Sequence, residues 1–93
     1  MGYDLHVTRA ENWSENEGRE ITWGEWLALV AEDPELAPDP ENGESFALWS
    51  GPSRLPQPWL EWDEGNISTK NPDRALIAKM LQIAERLGAR GQG

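Results

Sequence analysis

The chain has 93 residues and carries 8 Lys plus Arg against 17 Asp plus Glu, a net charge of −9, with one His, no Cys and six Trp. That length holds one domain, residues 1–93, and the lack of Cys excludes disulfides, a thiolate zinc site and a Cys nucleophile. The charge argues against a nucleic-acid partner, whose phosphates need a basic face, and no run approaches the roughly 20 apolar residues of a membrane span.

The opening Met1-Gly2-Tyr3-Asp4-Leu5-His6 has neither a basic nor an apolar leader region, so no secretory signal and a cytoplasmic location are expected. Position 6 is His, which breaks the myristoylation pattern. The acidity is uneven. Residues 1–47 hold 12 acids and 2 bases, residues 48–93 hold 5 acids and 6 bases. Such a field either keeps a solvated loop soluble or steers a basic partner.

In chain order, Tyr3, Leu5 and Val7 alternate with Asp4, His6 and Thr8, which predicts a strand with one buried face. Residues 10–20 have no periodicity and read as an acidic loop that Trp13 pins to the body. Thr22 and Glu25 have capping-box spacing, with Ile21 and Trp26 at the staple positions. A helix follows, with Trp23, Trp26, Leu27 and Val30 as its apolar stripe, ending near Glu32 before Pro34. Residues 33–45, with three Pro, one Gly and five acids, read as a second acidic loop. Phe46 to Trp49 suggests a short buried strand, and residues 50–58 an irregular connection.

Residues 59–63 and 66–70 flank Glu64-Gly65 as a hairpin, with Trp62 opposite Ile67 and Leu60 opposite Thr69. A last helix is expected from Pro72 to Leu87, with Asn71 as its N-cap, a stripe of Leu76, Met80, Ile83 and Leu87, and Gly88 just past its end. The Gly-rich tail 89–93 reads as flexible. The fold class is therefore α+β, a small two-layer domain in the order β-α-β-β-β-α, its mostly antiparallel sheet carrying two helices on one face.

Gly2-Tyr3-Asp4-Leu5-His6-Val7-Thr8-Arg9, Ile21-Thr22-Trp23-Gly24-Glu25-Trp26-Leu27 and Asn71-Pro72-Asp73 with Lys79-Met80, Ile83-Ala84 and Leu87-Gly88-Ala89 together resemble a group of small uncharacterised bacterial proteins. Those proteins open on a "GYDLHITR" strand, continue with an "EEW" helix and close on an "NPD…KM…IA…LGA" helix. The resemblance carries no catalytic residues. It implies a final strand reading roughly "VQGDDGE", and because Gly91 stands where Val would, that strand is expected to be missing or disordered here.

Catalysis has little support. His6 shares a face with Asp4 and Thr8, but Ser45, Ser50, Ser53 and Ser68 sit in no nucleophile motif. Glu61 and Asp63 form an acid pair that glycosidase chemistry would need in a deep cleft, which a body this small does not easily shape. Asp39, Glu41 and Glu44 surround Gly43 without the ladder of a calcium loop. No Gly-rich phosphate loop is present. No cofactor, metal or enzymatic activity is expected. Of the six Trp, Trp23, Trp26, Trp49 and Trp62 read as core or half-buried, leaving Trp59 and Trp13 as surface anchors. The candidate interface is Trp13, Glu32, Asp33, Glu35, Asp39, Glu41, Trp59, Glu61, Asp63 and Glu64. The expected role is a non-catalytic acidic binding protein, of the immunity type that occludes a basic toxin or nuclease domain. The alternatives are a structural or regulatory module that self-associates, for example as a homodimer through the edge strand of the hairpin, and a small-molecule or sugar binder built on the Trp-rich hairpin with Trp59 and Glu61.

Overall fold

A computed structural model describes residues 4–93. Tyr3, expected as the first inward residue of the opening strand, lies outside the described residues. Six strands form one antiparallel sheet: β1 (Asp4–Thr8), β2 (Leu36–Asp39), β3 (Gly43–Trp49), β4 (Trp59–Asp63), β5 (Asn66–Lys70) and β6 (Arg90–Gln92). Their spatial order is β2-β3-β4-β5-β1-β6, every neighbouring pair antiparallel. Two helices, α1 (Trp23–Glu32) and α2 (Arg74–Arg86), and a 3-10 turn at Trp13–Glu15 complete it. The α+β two-layer class is as expected, with two strands more than the sequence suggested.

Strand alternation separates the faces. Leu5, Val7, Leu36, Ala47, Trp49, Leu60 and Ile67 join Trp26, Leu29 and Val30 of α1 and Leu76, Met80, Ile83 and Ala84 of α2 in a single core. Both helices therefore cover the same face. The α1 stripe is turned relative to the expected one. Leu29 is buried, while Trp23 and Leu27 stay over a third exposed. Trp23 instead leans on the edge of Trp62, ring centres 5.1 Å apart at 66°.

The local signals explain most boundaries. The Thr22 side chain accepts from the Glu25 amide (3.1 Å) and the Glu25 carboxylate accepts from the Thr22 amide (2.9 Å), the reciprocal cap that starts α1. Glu25 also takes the Arg9 fork at 2.8 and 2.6 Å, while Arg9 Nε donates to the Leu87 carbonyl at 2.9 Å. One guanidinium thus ties β1 to the start of α1 and the end of α2. That fork, then the Thr22 amide, holds the Glu25 carboxyl down to about 2.

The start of α2 corrects one expectation. Asp73, not Asn71, is the N-cap, its carboxylate accepting from the Leu76 amide at 3.0 Å. Asn71 takes a left-handed conformation (φ 49°) that turns the chain out of β5. At the other end, Gly88 (φ 64°) completes a Schellman closure, with Ala89 donating to Ala84 and Gly88 to Glu85. That turn sends the tail back along β1.

The tail is the second correction. Residues 89–93 contain β6, paired with β1 through His6–Gln92, Val7–Gly91 and Thr8–Arg90. The strand expected to be missing is present, its Gly91 fitted against Leu81 where a Cβ would lie 2.7 Å from the Leu81 side chain. The third correction is the loop 33–45, which holds β2 and the start of β3. Pro38 lies on an edge strand, where its missing N–H costs no ladder bond, and the register shifts beside it.

The hairpin register is as expected, with Trp62 opposite Ile67. Glu64 (φ 49°) and Gly65 (φ 87°) are both left-handed, as a two-residue turn of this twist requires. Residues 10–20 close over this tip, where Ile21 donates to the Gly65 carbonyl at 2.9 Å. A Cβ at Gly65 would lie 2.4 Å from Glu20 Cβ, whereas one at Gly88 would meet nothing within 4 Å. Gly65→Ala is therefore expected to cost about 2–3 kcal/mol in urea unfolding and Gly88→Ala about 1 kcal/mol. Equal losses would show that the segment does not pack on the hairpin.

Candidate functional site

The second face of the sheet carries no helix. Across its middle, Phe46 lies opposite Glu61, Glu61 opposite Ser68, Ser68 opposite His6 and His6 opposite Gln92. Leu48 pairs with Trp59 on one side of this row, and Thr8 with Arg90 on the other.

The loop at 10–20 covers half of this face as a strap. Trp13 lies flat on His6, ring centres 3.8 Å apart and 3° from parallel. Its amide donates to Gln92 Oε1 and its carbonyl accepts from Asn66 Nδ2, both at 2.8 Å. Gln92 Nε2 donates to the Glu11 carbonyl, and Asn16 Nδ2 to the Glu64 carbonyl at 2.7 Å. Under the strap, Thr8, Asn66 and His6 are buried. Burial pushes the His6 imidazole below its ordinary 6.5, opposed by Asp4 and the Gln92 backbone.

The other half has no cover. Phe46, Leu48, Trp59 and Glu61 are all half-buried there, and Phe46 tilts against Trp59 at 5.8 Å and 55°. Burial, then the neighbouring Asp63, raises the Glu61 carboxyl above its ordinary 4.5, with Lys70 opposing. Trp59, Glu61, Asp63 and Glu64 thus belong to one surface, and Trp13 borders it.

The five earlier acids divide differently. Lys79 lies under α1 and β2 with its side chain 7% exposed, bound to Asp33 at 2.6 Å and Glu35 at 3.0 Å. Trp49 Nε1 also donates to Glu35 at 3.0 Å. Burial would lower the Lys79 ammonium, but the two carboxylates outweigh it and hold it above 10.5. Burial would raise Asp33, but Lys79 and the Glu35 amide outweigh it and hold it low. Trp49, then Lys79, hold Glu35 low. Glu32 pairs with Arg86 at 2.5 Å. Asp39 is buried in a turn, accepting from the Glu41 and Asn42 amides and from Asn42 Nδ2. Glu41 is exposed beside it. Glu32, Asp33, Glu35 and Asp39 are thus engaged within the fold. Among the described residues, Glu15, Glu17, Glu61, Asp63 and Glu64 make no ion pair.

Phe46 and Leu48 were missed as site residues, and Ser68 was weighed only as a nucleophile. The run Phe46–Trp49 alternates half-buried and buried, so its even positions face outward; the signal was its parity. Both hairpin strands are interior to the sheet, so the expected self-association through the hairpin's edge has no edge to use. Among the described residues, no group of three or more His, Asp or Glu is placed to hold a metal ion, and no helix is long and apolar enough to cross a membrane. No family model, no curated protein and no solved structure matches this chain.

Two outcomes follow from the acids. Lys79→Met should cost about 2 kcal/mol at pH 7, less than the roughly 3–5 kcal/mol of a fully buried pair because Glu35 reaches water. Asp33 and Glu35 titrate below their ordinary 3.8 and 4.5, so their contribution is present above pH 4.5 and fades as pH falls through the lower folded values. Lys79 sits above 10.5, so its share holds below pH 10.5 and is lost as pH rises further. Denaturant midpoints across pH read both, and a wild-type–variant gap that stays constant into acid contradicts the pairing. Glu61→Gln should instead stabilise by about 0.5 kcal/mol at pH 7. Its carboxyl titrates above 4.5, so the charged form costs stability at neutral pH and the gain disappears below pH 4.5. A loss at pH 7 would mean that Glu61 is satisfied where it stands.

Proposed function

We propose that this protein is a non-catalytic binding module that takes a basic protein partner on the helix-free face of its sheet, as an occluding inhibitor of the immunity type. One observation carries the reading. The half-exposed Phe46–Trp59 pair and the unpaired carboxylates Glu61, Asp63 and Glu64 lie on the same surface. A partly exposed aromatic pair supplies contact area at the centre of an interface. Carboxylates around it, uncommitted to the fold, speed encounter with a cationic surface and reject anionic ones. The basic toxin or nuclease domain expected from the sequence is the partner class this charge suits. The resemblance to the small bacterial group remains compatible with such a role and adds no activity.

The test is association with a panel of basic nuclease and toxin domains at low salt. A one-to-one complex is expected, with an on-rate that falls as salt rises. Trp59→Ala should weaken it by about 2 kcal/mol, roughly thirtyfold. Asp63→Asn should slow association, whereas Glu35→Gln should leave association unchanged and lower only stability. Absence of binding at micromolar concentration, or full affinity in Trp59→Ala, would sink the reading.

A further inference from the structure

Between the strap and the hairpin tip lies a cleft of about 150 Å³, bounded by His6, Trp13, Asp63, Glu64, Asn66 and Ser68. At about 30 Å³ per water, it has room for a planar head group and the end of its stem. No Lys or Arg lines it. It offers acceptors instead: the Asp63 carboxylate, the Glu64 turn and the Ser68 hydroxyl.

His6 forms its inner wall and supplies the second observation. The residue is 9% exposed, and its Nδ1 is buried with no hydrogen-bond partner. In the neutral imidazole with its proton on Nε2, that Nδ1 is a bare acceptor. An orphaned buried acceptor is costly inside a protein, and a donor arriving at the cleft would satisfy it. Trp13 covers one face of His6 and is itself 38% exposed.

Ser14 and Asn16 complete the lining, and the donors of Ser14, Asn16 and Asn66 are spent on Asn12, Glu64 and Trp13. The cleft is therefore rich in free acceptors beside an aromatic wall and fits one head group better than others. A guanidinium has five donors in a fixed plane and no acceptor, pairs with a carboxylate through two parallel bonds, and stacks on an indole. An ammonium matches the charge but neither the plane nor the stack. We infer that this cleft is a receptor for an arginine side chain, one that the basic partner would insert beside Asp63 and Ser68 with Trp13 against it. The inference deepens the proposed function and rests on its reading of the partner as a basic protein.

The cleft is tested without any partner by titrating the isotope-labelled protein with arginine amide and, in parallel, lysine amide at one low ionic strength. The expected result is saturable movement of the His6 ring, Trp13 indole and Ser68 resonances with arginine amide, about tenfold weaker with lysine amide. Asp63→Asn should weaken the arginine titration about tenfold, and Ser68→Ala by a smaller factor in the same direction. Glu85→Gln, a carboxylate on α2 behind the sheet, should leave it unchanged. The spectrum of each variant reports its fold directly, and the Ser68 variant keeps the test open should Asp63→Asn unfold. Equal shifts from both amines spread over all carboxylates, or none at the cleft, would overturn the inference. Arginine amide titrating the cleft while no basic domain binds would uphold the cleft and retire the protein-partner reading. Tight binding of a basic domain with a silent cleft would do the reverse.

Discussion

Two helices cover only one face of a six-stranded sheet, and most features of this molecule answer that constraint. The core takes the odd-numbered residues of β1, β3 and β5 with the apolar sides of α1 and α2. Nothing of comparable size remains for the other face. The chain closes half of it with an eleven-residue strap (10–20) whose only large apolar side chain is Trp13. A stacked Trp–His pair and a few side-chain-to-backbone hydrogen bonds do there what a helix does on the first face. That arrangement depends on both sheet partners of the strap. Gln92 of β6 and Asn66 of β5 hold it from opposite sides, so the last strand and the hairpin jointly set its height over His6.

The same constraint sorts the acids. A net charge of −9 on so small a body repels itself. The fold lessens this where acids meet the helical layer. Lys79 collects Asp33 and Glu35, Arg86 takes Glu32, and Arg9 takes Glu25. Three cations therefore fix the seam between the two helices and the ends of β1 and β2. At the strap and hairpin tip, among the described residues, Glu15, Glu17, Asp63 and Glu64 make no ion pair. Asp33, Glu35 and Asp39 entered the candidate interface beside the hairpin acids because charge density alone cannot distinguish a carboxylate held within the fold from one facing water.

Legibility followed the range of the interaction. The capping box at Thr22 and Glu25, the Glu64-Gly65 turn and the Gly88 closure are decided within a few residues, and each reads directly from spacing. The N-cap of α2 was one step less local. Asn71 and Asp73 are both good caps by type, and Asp73 holds the place because Ser53 and Arg54 also donate to its carboxylate. β2 and β6 were illegible because their composition favours loops, and only the neighbouring strand supplies the pairing. The turn of the α1 stripe has the same origin: Trp23 finds Trp62 at the rim and gives up the core position to Leu29. His6 read as an ordinary polar strand residue. Its burial is produced by a strap whose own sequence shows no periodicity.

Local consistency also marks where the fold departs from its own interest. On the helical face, each polar group that enters the interior brings a partner: Lys79 its carboxylates, Trp26 the Glu44 carbonyl, Trp62 the Ile21 carbonyl. On the other face the pattern lapses. Glu61 is half-buried beside an aromatic pair with a like charge as neighbour, and His6 keeps a buried nitrogen without a partner. Each departure is individually unfavourable, and both lie on the same row of the sheet, two strands apart. Natural sequences keep such conflicts where function requires them. Their coincidence on the helix-free face of the sheet gives the partner proposal a reason that net charge alone does not.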